Sequence, residues 1–330
     1  MVRCFRSALL SSFLLCLALV LSGCGGGSSG SANAGTPADG GTPAPAPDPD
    51  PAPTPDPDPA PSPTRSIKRG VAYDLATPED MKALSSGVTW WYNWSPTPHP
   101  GSDGYAGVYG MDFIPMLWND DFDDAGIEAR LRANPSIRYL LLLNEPNLAD
   151  QANMTPQRAA ALWPRYEALA ERTGVQLVGP AITWGTLSGF EDPVVWLDAF
   201  YAAYRNAHGG AAPRIDYLAF HWYDYGLAGQ LDRLGKYGKR IWVTEFANWH
   251  SGDGSAQIDT VAKQMQQMTE MVEVCEQRED VFRYAWFTGR WTRDGDPHKT
   301  SLLAGNGELT ELGRHYVSLP FTAAAGVSGP

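Results

Sequence analysis

Only four cysteines occur in 330 residues, and three of them, Cys4, Cys16 and Cys24, fall within the first two dozen positions. Beyond that stretch Cys275 stands alone, so no intramolecular disulfide can brace the rest of the chain. Its place on an apolar helical stripe marks it as a buried core thiol. The six histidines (His99, His208, His221, His250, His298 and His315) are scattered, with no His-x-x-x-His or Cys/His cluster, which argues against a metal site. No Gly-x-Ser-x-Gly elbow joins a predicted strand to a helix, and no glycine-rich phosphate turn follows the first predicted strand. No cofactor is therefore expected. Basic residues are also scarce: 25 Lys and Arg against 37 Asp and Glu give a net charge of −12. That balance argues against nucleic acid and anionic lipid as direct partners, and leaves neutral glycans open.

The longest apolar run, from Ala8 to Leu21, is too short for a comfortable membrane span. Preceded by Arg3 and Arg6 and followed by Leu21-Ser22-Gly23-Cys24, it reads as an export signal over 1–23. Leu-Ser-Gly-Cys resembles the bacterial lipobox, which implies cleavage before Cys24 and acylation of that residue. Gly25 takes the place of the Asp that retains Gram-negative lipoproteins in the inner membrane. The expected location is the cell envelope, lipid-anchored at the outer membrane or cell surface. Residues 24–64 pass from Gly/Ser to Ala-Pro, Thr-Pro and Asp-Pro alternation, with almost no large apolar side chain. Such a segment cannot offset the entropy of folding and is expected to be a disordered tether. Its Pro-rich half would reach roughly 60 Å if fully extended.

Residues 65–330 are expected to form one catalytic domain, and all twelve tryptophans of the chain lie in it. Strand patterns are predicted at 70–73, 88–94, 113–118, 139–143, 175–181, 215–223, 241–246 and 281–287. Helical patterns fall at 78–84, 124–133, 155–172, 193–207, 227–234, 257–279 and 309–317. A Pro/Gly-rich loop (95–110) stands where one further helix would be expected, and Pro115 interrupts the third strand. Eight strands alternating with helices predict a (β/α)8 TIM barrel. A doubly wound open sheet is the alternative, and it would normally show fewer strands.

Within this frame one stretch organises the rest. The apolar run Tyr139-Leu140-Leu141-Leu142-Leu143 stops at Asn144-Glu145-Pro146-Asn147. Absence of alternation marks a strand covered on both faces, and Pro146 ends its pairing. Glu145 thus sits at the carboxyl rim of the fourth strand. The seventh strand, Ile241-Trp242-Val243-Thr244-Glu245-Phe246, delivers Glu245 to the same rim. Two carboxyl groups at one mouth are what glycoside hydrolysis needs: one protonates the leaving oxygen, the other attacks or activates water. Asn144 could bind a sugar hydroxyl, and His221 and Tyr223, ending the sixth strand, could orient a carboxylate. Trp94, Trp118, Trp184, Trp222, Trp249, Trp286 and Trp291 fall at or just after strand ends, where indole faces can stack on sugar rings. Trp90, Trp163, Trp196 and Trp242 are assigned to the core.

Six fragments carry a resemblance: Trp-Trp-Tyr-Asn-Trp-Ser, which includes Asn93 and Trp94; Pro-Met-Leu-Trp, ending at Trp118; Leu-Asn-Glu-Pro-Asn; His-Trp-Tyr, covering His221, Trp222 and Tyr223; Trp-Val-Thr-Glu-Phe; and Tyr-Ala-Trp-Phe. In this order, over 70–316, they resemble glycoside hydrolase family 128 of clan A. The resemblance implies a retaining endo-β-1,3-glucanase, with Glu145 as acid/base and Glu245 as nucleophile. It also implies that Tyr223 touches the nucleophile and that Trp286 floors the subsite of the cleaved sugar. Cys24 would carry the lipid, a β-glucan would be the partner, and the domain would act as a monomer. Two alternatives stay open: another clan A β-glycanase acting on β-1,4-glucan or mannan, and a surface glycan-binding protein without turnover.

Overall fold

The computed structural model describes residues 64–321. The signal peptide expected at 1–23, the acylation of Cys24 and the tether that follows it lie outside the described residues. Among those described, no helix is long and apolar enough to cross a membrane.

One curled sheet of nine parallel strands holds the chain together: β1 (Arg69–Ala72), β2 (Trp90–Tyr92), β3 (Asp112–Phe113), β4 (Met116–Leu117), β5 (Tyr139–Leu142), β6 (Gln176–Ile182), β7 (Tyr217–Trp222), β8 (Ile241–Phe246) and β9 (Val281–Trp286). Their order is β3-β2-β1-β9-β8-β7-β6-β5-β4, so the two outermost strands are consecutive in the chain. The expected third strand has split at Pro115. Without an N–H, Pro115 can only accept, and its carbonyl takes the Leu141 N–H at 2.9 Å, while the Ile114 N–H before it donates to Trp91 O at 2.9 Å. One half of the segment thus pairs with β2 and the other with β5.

Helices alternate with the strands: α1 (Pro78–Leu84), α2 (Ala106–Tyr109), α3 (Asp124–Ala133), α4 (Pro156–Thr173), α5 (Pro193–Ala207), α6 (Leu227–Leu234), α7 (Val261–Gln277) and α8 (Glu311–Ser318). Their starts follow local chemistry. Thr77, Thr155 and Asp192 each cap a helix through a side-chain oxygen, with proline fixing the first helical residue behind them. The loop expected at 95–110 holds one helical turn, α2, closed by Gly110 in the left-handed region.

Burial separates two layers. Leu140 and Leu142 face the helices, while Leu141 points inside the curl with Trp90, Tyr92, Tyr139 and Trp242. Bulky rings there are set against small side chains, Ala72, Ala181, Ala219 and Ala285. Gly70 belongs to the same fit, because a Cβ on it would lie 2.3 Å from the Trp90 indole. The four tryptophans expected in the core, Trp90, Trp163, Trp196 and Trp242, are wholly buried, as is Cys275.

Candidate active site

The strand ends bring five titratable side chains together: Glu145, His221, Glu245, Tyr92 and Tyr223. Glu145 stands just past β5 on a backbone that turns sharply: Leu143 and Glu145 have φ of 53° and 44°, a region that side-chain-bearing residues seldom occupy. Backbone bonds hold the turn in place. Asn144 N–H donates to Trp118 O at 2.8 Å, and Glu145 N–H donates to Ala181 O at 2.8 Å. The amide of buried Asn147 anchors it from the other side by donating to Thr183 O at 2.6 Å. Such strained residues concentrate at functional sites.

Glu245 reaches the same space through a β-bulge. Phe220 pairs with Val243 but His221 pairs with Glu245, so Thr244 is an extra residue in β8. Were the pleat regular through Thr244, Glu245, three positions after the inward Trp242, would face the helices. A single inserted residue is a common way to re-aim a side chain beside an active site.

The resulting cluster is tight. His221 Nδ1 lies 2.9 Å from Glu145 Oε1 and 3.4 Å from Glu245 Oε2. Glu245 Oε1 accepts from Tyr92 Oη and from Trp94 Nε1, each at 2.7 Å, and Oε2 accepts from Tyr223 Oη. One ligand atom from each of Glu145, His221 and Glu245 lies within 4.8 Å of the others, the geometry of a three-ligand cation site. The Glu245 oxygens, however, already accept hydrogen bonds from Tyr92, Trp94 and Tyr223. A cation would have to displace these donors.

Residues 70–316 match the glycosyl hydrolase catalytic core family. A family 128 (subgroup II) endo-β-1,3-glucanase from Pseudomonas viridiflava is 63% identical, with a TM-score of 0.77, and the match covers 78% of this chain and 100% of that one. The chain belongs to glycoside hydrolase family 128. A subgroup I endo-β-1,3-glucanase of Amycolatopsis mediterranei, solved with laminaritriose, is 27% identical with a TM-score of 0.61, over 77% of this chain and 99% of that one. The Alkali-sensitive linkage protein 1 of Schizosaccharomyces pombe is 26% identical over 264 residues, 76% of this chain. This chain spans 44% of the length of that curated relative.

In this glycoside hydrolase the protonation of the cluster follows from burial and charge. Burial pushes the Glu145 carboxyl above its ordinary range; the His221 contact pulls the other way, and Glu245 adds to the rise. Burial alone would lower the basicity of His221, but its two carboxylate neighbours outweigh it and raise the imidazole instead. Burial, followed by the charge of Glu245, drives the Tyr92 and Tyr223 phenols well above their usual value, so both remain hydrogen-bond donors.

The structure sorts the other expected site residues. Trp94 and Tyr223 touch Glu245 directly. Asn144 is buried with its amide on Gln151 Oε1 at 3.1 Å, while its Oδ1 has no partner. Asn93 is instead a loop brace, donating to Asp74 Oδ1 at 2.9 Å and Thr97 O at 3.0 Å. Trp118 and Trp94 line a cavity of about 460 Å³ that runs toward α3. Half-buried Trp222 donates to Tyr225 O at 2.9 Å. Trp249 stacks on Tyr223 at 4.0 Å and on His298 at 4.7 Å, which makes it a support for the site.

Trp286 is a correction. It is 0% exposed and lies under α8 beside Phe246 and Tyr316, with its indole N–H donating to Thr300 O at 2.9 Å. No face is free for a sugar. Its neighbour Phe287 turns inward, in edge contact with Trp94, Tyr223 and Trp249. Phe287 and Tyr92 are the site residues that sequence reasoning passed over. Two-residue alternation along Trp90-Trp91-Tyr92 was the available signal for Tyr92.

Proposed function

We propose that this glycoside hydrolase cleaves β-1,3-glucan internally and with retention of configuration, using Glu145 as acid/base and Glu245 as nucleophile. The observation that carries the reading is the close pairing of the two carboxyl groups through His221. Retaining enzymes hold their carboxyls about 5–5.5 Å apart, whereas inverting ones need about 6.5–9.5 Å to admit a water. Ligand oxygens of Glu145 and Glu245 within 4.8 Å of each other favour the first arrangement. The unequal surroundings support the division of roles. Burial shifts Glu145 toward its protonated form, which suits the group that must protonate the glycosidic oxygen. Tyr92, Trp94 and Tyr223 fix both oxygens of Glu245, which suits attack on the anomeric carbon. In the second half of the reaction Glu145, now a carboxylate, takes the proton of the attacking water.

The linkage rests on the relatives: the Pseudomonas and Amycolatopsis enzymes are endo-β-1,3-glucanases, and the latter binds laminaritriose. On the same reading β3 and β4 count as one strand, and the sheet closes as a (β/α)8 barrel that acts as a monomer. Residues 1–23 act as a lipoprotein signal, and Cys24 carries the lipid that holds the domain at the cell envelope.

Reducing-sugar release from laminarin, curdlan, carboxymethyl-cellulose and mannan tests the substrate, with product NMR reporting the anomer first formed. Fast cleavage of laminarin to β-anomeric oligomers is expected. Comparable rates on carboxymethyl-cellulose would remove the β-1,3 assignment, and an α-anomer would remove the mechanism. Fractionation of a Cys24→Ala variant with the membranes, as for the wild type, would remove the lipid anchor.

A further inference from the structure

Trp184 is one of the few large apolar side chains left open, with 45% of its surface exposed. It stands two residues beyond β6 and yet is held firmly. Its indole N–H donates to Gln230 Oε1 at 2.9 Å. The Arg233 guanidinium lies 5.1 Å from the ring centroid and is itself paired with Asp192 at 2.5 Å. The backbone beside it is fixed as tightly. A Cβ on Gly185 would lie 2.0 Å from Asn147 O, so only glycine lets this loop approach the turn that carries Glu145. Gly185 N–H donates to Glu191 O at 2.8 Å, and Thr186 and Leu187 N–H donate to Asn147 O at 2.9 and 2.8 Å. An exposed indole normally loses rotamer freedom when it binds, and here that freedom is already gone.

We infer that Trp184 is a sugar-stacking platform on the leaving-group side of the cleft, receiving a glucosyl unit of the departing chain. The inference rests on the reading of Glu145 as the acid. That acid protonates the leaving oxygen, so the departing sugars lie on its side, and the Trp184 loop is bonded directly to the Glu145–Asn147 turn. The chemistry fits a pyranose: its C–H face stacks on the indole, and the neighbouring Gln230 and Arg233 offer hydrogen bonds to hydroxyls. The contact with Arg233 also helps to hold the orientation of the ring.

Two substrates separate this role from a structural one. Laminarihexaose has glucosyl units beyond the scissile bond, whereas β-laminaribiosyl fluoride has a single-atom leaving group and none. Trp184→Ala is expected to lower kcat/KM on laminarihexaose by about tenfold, equivalent to about 1.4 kcal/mol. Turnover of the fluoride should stay within about twofold of wild type, and Trp184→Phe should recover most of the loss on the hexaose. Transglycosylation by the glycosyl-enzyme onto added laminaribiose should fall with the hexaose activity, because the acceptor occupies the same place. Equal losses on both substrates, or no loss on either, would overturn the inference. A wild-type protein inactive on both would remove the underlying reading and this inference with it.

Discussion

His221 Nδ1 lies 2.9 Å from Glu145 Oε1 while the imidazole is wholly shut off from solvent. With Glu245 Oε2 also at 3.4 Å, the same ring nitrogen faces both of the carboxyl groups proposed as acid/base and nucleophile. The imidazole is therefore the main restraint on the burial-driven rise of Glu145. Removing it should let that rise go further, so His221→Asn is expected to move the basic limb of the kcat/KM profile toward higher pH as well as slow the reaction. Full profiles on laminarin test this. A limb displaced toward acid would show that His221 does not act on Glu145 as a charge.

Glu145 itself should trade stability for activity. Its folded-state proton affinity is raised, so above the ordinary carboxyl range the folded protein binds more protons than the unfolded chain, and the group opposes folding. Glu145→Gln is expected to raise the melting temperature at pH 7, with the gain shrinking as pH falls through the raised folded-state range and gone below about 4.3, the unfolded value. Turnover of laminarin should drop about 10²–10⁴-fold in the same variant. A melting temperature lower than wild type at pH 7 would contradict the sign.

The two phenols on Glu245 should be separable from its carboxylate. A hydrogen bond to a charged group contributes about 1.5–3 kcal/mol. Tyr92→Phe and Tyr223→Phe are each expected to lower kcat about 10–100-fold, far less than Glu245→Ala. Because both phenols are held well above their usual range, neither loss should depend on pH between 5 and 9 on the scale of about one unit. A kcat unchanged in both variants would show that these bonds do not position Glu245 for the proposed attack.

Much of the site could be read from the chain because the two glutamates end apolar runs, a pattern that marks a strand and its rim together. Helix limits were equally legible where a Thr or Asp cap precedes proline, as at Thr77 and Asp192. What stayed hidden depended on parity. In Tyr284-Ala285-Trp286-Phe287 every residue is apolar or aromatic, so nothing in the letters says which alternate set faces inward. The bulge at Thr244, which brings Glu245 inward, is likewise invisible until β7 and β8 are paired. The split of β3 from β4 was signalled by Pro115, but which half pairs with which neighbour was not.

That parity yields the sharpest test of the corrected site. Ala285 lies in the inner layer and Phe287 packs against it, whereas Trp286 belongs to the layer beneath the helices. Trp286→Ala should therefore leave a large cavity under α8 and orphan Thr300 O, at a stability loss of about 3–5 kcal/mol. Where the variant stays folded, KM for laminari-oligosaccharides should be close to wild type. Phe287→Ala should do the reverse. It removes an aromatic surface beside Trp94 and Tyr223, the proposed floor for the sugar being cleaved, so kcat/KM should fall while the melting temperature moves less. Denaturant unfolding of both variants alongside kinetics on laminarihexaose decides the matter. If Trp286→Ala raises KM at unchanged stability, the buried indole is the platform after all and the inward turn of Phe287 is incidental.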